Sequence, residues 1–234
     1  MSSNSFRFKR FCINHDRCAM KVGTDGVLLG AWGSIDGKNI LDIGSGTGLI
    51  ALIAAQRNPQ ARVLGIDIDE QAVQQAQENM MASPFAERVS CELQDVKSFS
   101  PELCFDAILC NPPFFTEKVL PPDAARCQAR NTANLPFEIL ANSVAKILSE
   151  DGCFSVIIPT KEVFTFIALC IGNNLYLQRK CLVRTTARKQ PSRAMLTFTN
   201  KKNVSPVHEE ELCLMNPDGT RSPAYSLLTE DFYL

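Results

Sequence analysis

From residue 39 to residue 199 the chain alternates short apolar runs with amphipathic stretches. Asn39–Ile43 is such a run and predicts a strand entering the glycine-rich stretch 44–48. Leu49–Arg57 follows as a helix, stopped by Asn58-Pro59. Arg62–Asp67 predicts a second strand, and Asp69 is placed to cap a helix running to about Ala82. Arg88–Leu93 and Phe105–Cys110 read as further strands. Pro136 suits the first turn of a helix ending near Glu150, with Asp151-Gly152 as the turn into a strand at Gly152–Ile158. A helix from about Lys161 to Cys170 and strands near Leu175–Val183 and Ala194–Phe198 complete the series. Strand–helix alternation of this kind predicts an α/β, doubly wound parallel sheet with helices on both faces. The last two strands, joined by the polar, basic stretch 184–193, predict an antiparallel pair at one end of it. The chain thus divides into an N-terminal segment, 1–38, expected to pack over the mouth of the sheet, and a domain at 39–234.

With 234 residues, 45% hydrophobic and 21% charged, the chain can bury one substantial core. No apolar run approaches the ~20 residues that span a bilayer, and residues 1–10 carry no apolar signal core. The expectation is a soluble, unprocessed, cytoplasmic monomer with no membrane partner. The ten cysteines form no Cys-x-x-Cys pair, which argues for reduced, buried thiols and no metal.

The net charge of −1 hides an uneven distribution. Residues 179–202 contain eight cations and no acid; residues 1–23 carry a local +4 through Arg7, Lys9, Arg10, Arg17 and Lys21 against Asp16. Two basic segments on an acidic body can form a phosphate-binding face, or can be solvated charges pointing apart.

Candidate chemistry begins at Asp42, Gly44, Ser45, Gly46 and Gly48, a strand-to-helix turn where doubly wound sheets bind ligands. The spacing is G-x-G-x-G after an acid, whereas a pyrophosphate site needs G-x-G-x-x-G. That favours a cation-bearing nucleoside with an amino-acid tail, and the pattern resembles the first motif of S-adenosylmethionine methyltransferases. Asp67 ends the second strand, placed to accept both ribose hydroxyls. Asp95 follows the third, placed to accept from an adenine amino group.

Asn111-Pro112-Pro113-Phe114 sits at the carboxyl end of the fourth strand, facing the same crevice. An amino group conjugated to a ring has a delocalised lone pair. Accepting both its N–H hydrogens, at the Asn111 side-chain oxygen and the Pro112 carbonyl, frees that lone pair for attack. Pro113 fixes the loop's path beside Pro112, Phe114 offers a face for base stacking, and Asn111 also borders the cofactor. Catalysis there rests on positioning rather than on a dedicated base.

Asn-Pro-Pro-Phe with this glycine loop resembles the amino-methyltransferases of adenine, guanine or glutamine amides. HDRCAMKVGTDGVLLGAW at 15–32 and YSLLTEDFYL at 225–234 narrow the resemblance to the bacterial tRNA(Val) adenine-N6-methyltransferase family, over almost the whole chain. The resemblance implies a Rossmann-like class I S-adenosylmethionine-dependent fold with a mostly parallel seven-stranded sheet and an antiparallel C-terminal pair. It implies S-adenosylmethionine as cofactor, S-adenosylhomocysteine as product, and adenine 37 in a tRNA anticodon stem-loop as target. Lys21, Gly23, Thr24 and Asp25 are then expected to line the methionine end of the pocket, with the partners of Lys21 and Asp25 left open. The alternative role for Thr24 and Asp25 is to cap a helix through Leu28 to Trp32. Arg188, Lys189 and Arg193, with Arg7, Lys9 and Arg10, are implied to grip the tRNA backbone. The family pattern has His where this chain has Asn131, so that residue receives no role.

Three rival readings stand beside this one. A guanine or a protein glutamine would use the same chemistry, although glutamine enzymes usually add an N-terminal recognition domain. A nicotinamide oxidoreductase is opposed by the glycine spacing and the lack of a hydride-partnering His or Tyr. A silent RNA-binding module would have no chemical need for Asn-Pro-Pro-Phe.

Overall fold

An eight-stranded sheet forms the centre of the computed structural model, which describes residues 4–18, 21–113, 135–202 and 206–234. A hairpin of β1 (Ser5–Arg7) and β2 (Cys12–Asn14) precedes α1 (Thr24–Trp32). The chain continues through β3 (Asn39–Ile43), α2 (Leu49–Arg57), β4 (Arg62–Asp67), α3 (Glu70–Met81), β5 (Val89–Leu93) and β6 (Phe105–Cys110). Then come α4 (Phe137–Ile147), β7 (Leu148–Pro159), α5 (Val163–Gly172), β8 (Tyr176–Thr186), β9 (Arg193–Thr199), β10 (His208–Met215) and α6 (Pro223–Thr229). The strand order is β10-β8-β9-β7-β6-β3-β4-β5. β9 runs against β7 and β8, and every other pairing in this sheet is parallel.

β3 and β6 are apolar on both faces because helices cover both faces. One buried cluster joins α1, α2 and α3 through Leu28, Leu52, Ile53, Val73 and Met80. The other joins α4 and α5 through Leu140, Val144, Phe154, Phe166 and Phe198. α1 lies close enough on α2 that a Cβ at Gly30 would stand 2.9 Å from Ile53 Cγ2.

Four features depart from the sequence reading. The sheet has eight strands rather than seven, because β10 pairs outside β8 and moves the antiparallel pair in from the edge. Its opening residues, His208 to Glu211, are polar, so no apolar alternation marks it; charge suits an edge strand. α4 stops at Ile147 with Pro136 as its N-cap, and β7 starts at Leu148, so Asp151-Gly152 lies inside the strand. A register shift opposite Phe105–Ala107 absorbs the extra residues. The N-terminal segment carries an unpredicted hairpin before its helix, and Phe8, Phe11, Ile13, Leu28 and Trp32 belong to the core. Last, α6 follows a Ser222 cap, whose Oγ accepts from Tyr225 N at 3.1 Å, with Pro223 in its first turn. That Ser-Pro start was the signal available for it. No helix among the described residues is long and apolar enough to cross a membrane.

Candidate active site

The chain leaves β3 toward β4 and β5 on one side and returns through β6 on the other, so the order reverses at β3–β6. A crevice opens outside the carboxyl ends of strands at such a reversal. Ile43 is paired with Cys110 in this parallel register. Gly44 and Asn111 therefore leave neighbouring strand ends, about 5 Å apart in the direction of strand pairing. The two sequence motifs are brought together.

Gly44, Gly46 and Gly48 all have positive φ, at 72°, 55° and 81°, in the left-handed region that other residues reach only with strain. Among the described residues, a Cβ on Gly44 would meet nothing within 4 Å, and one on Gly46 only the Gly44 carbonyl at 4.0 Å. The inner side of the loop is thus open space. Gly44 N and Ser45 N both donate to the Ile66 carbonyl, at 2.9 and 3.1 Å. Gly65, not anticipated from sequence, leaves room for Ser45, whose Oγ a Cβ there would meet at 2.5 Å. Asn79 was also missed. It is buried in α3, donates through Nδ2 to the Asn14 and Thr47 carbonyls, both at 2.9 Å, and ties hairpin, helix and loop together.

Asp42 and Ser45 lie inside the loop rather than on its surface. Asp42 is 0% exposed; its Oδ2 accepts from Ser45 Oγ at 2.8 Å and Ala51 N at 3.2 Å, while Oδ1 has no partner among the described residues. Burial pushes its carboxyl up to about 7, against the two hydrogen bonds and with the help of nearby Asp67. Asp67 is half-buried at the end of β4. It accepts from Gly46 N at 2.8 Å and Asp69 N at 3.0 Å, one to each oxygen, leaving lone pairs for a ligand. Burial raises its pKa more than those bonds lower it. Gln94 N donates to the Asp67 carbonyl at 2.8 Å, which sets Asp95 beside it. Asp95 Oδ1 accepts from Lys97 N at 2.9 Å.

Across the crevice, Asn111 Oδ1 is buried and has no hydrogen-bond partner among the described residues. Buried amide oxygens are nearly always satisfied, so an orphan acceptor at a strand end is a site for an arriving donor. Pro112 is buried and Pro113 half-buried. Phe114 and Asn131 lie outside the described residues.

The mouth is built differently from expectation. α1 is N-capped by Gly23 with no side-chain hydrogen bond, so neither Thr24 nor Asp25 caps it. Lys21 and Thr24 are exposed, and Asp25 accepts from Arg193 Nε at 2.8 Å. The basic strip is largely neutralised. Arg179 pairs with Glu210 at 2.8 Å, Lys180 with Glu209 at 2.9 Å, Arg184 with Glu211 and Lys201 with Asp151. Arg188 and Lys189 are exposed in the β8–β9 turn, at the carboxyl end of the sheet because β9 starts opposite Pro159. Lys9 and Arg10 are elsewhere. They line a cavity with Gln56 and Arg57 at the far end of α2, about 13 Å of helix from the glycine loop. The structure does not bring the two basic groups together.

Open left-handed backbone, a carboxylate with spare lone pairs and an amide oxygen without a partner among the described residues suit an adenosine-bearing methyl donor on one side and an amine on the other. Comparisons agree. A family model described as "Methyltransferase small domain" matches residues 22–135. A tRNA1(Val) (adenine(37)-N6)-methyltransferase of Phocaeicola vulgatus is 44% identical, over 100% of this chain and 99% of the relative. One from Tolumonas auensis is 41% identical, over 100% and 98%. Among solved structures, a predicted O-methyltransferase of Agrobacterium tumefaciens superposes with TM-score 0.69 at 18% identity, covering 89% of this chain and 96% of that one. A ribosomal protein L11 methylase of Lactobacillus delbrueckii gives 0.56 at 16%, covering 81% and 84%. At such identities these two bear on the fold alone.

Proposed function

Because this chain belongs to the tRNA1(Val) (adenine(37)-N6)-methyltransferase family, we propose that it methylates the exocyclic N6 of adenine 37 in the anticodon stem-loop of tRNA1(Val). S-adenosylmethionine bound at the glycine loop supplies an electrophilic sulfonium methyl group. Gly44 and Gly46 leave space for it, Asp67 accepts its ribose hydroxyls, and Asp95 accepts from its adenine amino group. Asp42 and Ser45 hold the loop from beneath, and Lys21 and Asp25 flank the methionine end. On the other side, Asn111 Oδ1 and the Pro112 carbonyl accept the two N–H hydrogens of the target amine. Its lone pair then turns out of conjugation and toward the crevice. The product ammonium is acidic enough to lose its proton without a dedicated base.

The observation that carries this reading is the buried Asn111 Oδ1, without a partner among the described residues, one strand across from an open left-handed loop. An amine donor is what that oxygen lacks. Incubation of the protein with a tRNA1(Val) transcript and radiolabelled S-adenosylmethionine should place label in N6-methyladenosine. A transcript with guanosine at 37 should take none. Label recovered in 2-methylguanosine, or in a protein glutamine, overturns the assignment.

A further inference from the structure

Phe164, the second residue of α5, is 86% exposed. By contrast, Phe154, Phe166 and Phe198 are buried in contact with one another, and the partly buried Phe137 meets Phe166 edge-on. α5 begins at the mouth, because β7 ends there at Pro159 and only the short turn 160–162 intervenes. That turn is fastened to the β8–β9 connection. Thr160 N donates to the Ser192 carbonyl at 3.3 Å, and Thr160 Oγ1 to the Pro191 carbonyl at 2.8 Å. Arg188 and Lys189, in the same connection, are exposed and make no ion pair among the described residues. Lys161 is exposed beside them, with Glu162 3.6 Å away as the nearest acid. An aromatic face and three cations thus share one rim, on the strand next to the one that delivers Asn111.

The geometry points to Phe164 as a stacking platform for an unpaired nucleobase that flanks the target adenine. The inference rests on the tRNA reading above. Single-stranded loops present splayed bases, and every base has a face to stack on an aromatic ring. The surrounding cations take the phosphates that such a loop brings with it.

The test uses full-length Phe164→Ala and Phe164→Trp, since an exposed side chain can be truncated without opening the core. Phe164→Ala should raise KM for the tRNA1(Val) transcript about tenfold, the loss of one base–aromatic stack. Its kcat, cofactor affinity and salt slope should not change, and Phe164→Trp should restore KM. An unmoved KM in Phe164→Ala, with normal wild-type turnover, overturns the stacking role alone. Wild-type protein that labels no tRNA overturns the functional reading, and this one with it. A changed sedimentation of Phe164→Ala without RNA, at unaltered KM, assigns the ring to self-association and also overturns the proposal.

Discussion

Asp42 and Asp67 show how one residue type does two jobs a few ångströms apart. Asp42 is sealed under the loop with one oxygen unpartnered, and its carboxyl sits near 7 instead of the ordinary 3.8. Between about pH 4 and pH 7 the folded protein holds a proton there that the unfolded chain does not. The stability from that proton is complete below about pH 4 and is lost as pH rises through 7. Asp42→Asn has no such proton, so wild type should lose roughly 2–3 kcal/mol relative to it between pH 5 and pH 8 in urea unfolding. A difference that stays flat with pH contradicts this. Asp67 faces the crevice with spare lone pairs. Asp67→Ala should weaken S-adenosylmethionine binding by at least about tenfold in calorimetry, the scale of hydrogen bonds to a charged group.

At the level of elements, the ion pair of Asp25 with Arg193 joins the first turn of α1 to the start of β9. Each side chain is about a third exposed, so the pair contributes only about 0.5 kcal/mol to folding. Under the proposed function its effect is positional, joining the wall assigned to the cofactor to the rim assigned to RNA. Arg193→Ala should therefore raise the cofactor Kd and the tRNA KM together with little change in melting temperature, and the swap Asp25→Arg/Arg193→Asp should recover both. A rise in only one of the two constants contradicts the link. Asp25 and Arg193 each stand out in the sequence, but their pairing across 168 positions is not legible there. The central strands and helices were legible because burial on both faces writes continuous apolar runs. β10 was not, since its Glu209, Glu210 and Glu211 answer the cations of β8, and each segment read alone shows only charge. For the same reason the basic strip promised a stronger positive face than the molecule has. In the sequence α1 stands only as an alternative, because it is buried nearly all round and its close contact with α2 needs glycines, which weaken a helical pattern.

Across the whole molecule, the proposed catalytic and cofactor residues lie at the carboxyl end of the sheet, while Lys9 and Arg10 lie beyond the far end of α2. Replacing Arg188 and Lys189 with alanine should raise KM for tRNA and flatten its salt dependence by about one contact per charge removed. Replacing Lys9 and Arg10 should change it less. Equal effects from the two pairs place the RNA over both ends and contradict this arrangement. The two halves of the crevice come from different parts of the chain, residues 42–67 and 111–113, and each should be separable from the other. Single-turnover methyl transfer by Asn111→Ala, measured alongside its S-adenosylmethionine affinity, tests that division most directly. Transfer should fall by about 100-fold or more while affinity stays within a few-fold of wild type. Transfer at the wild-type rate would mean that the orphan oxygen of Asn111 holds no amine.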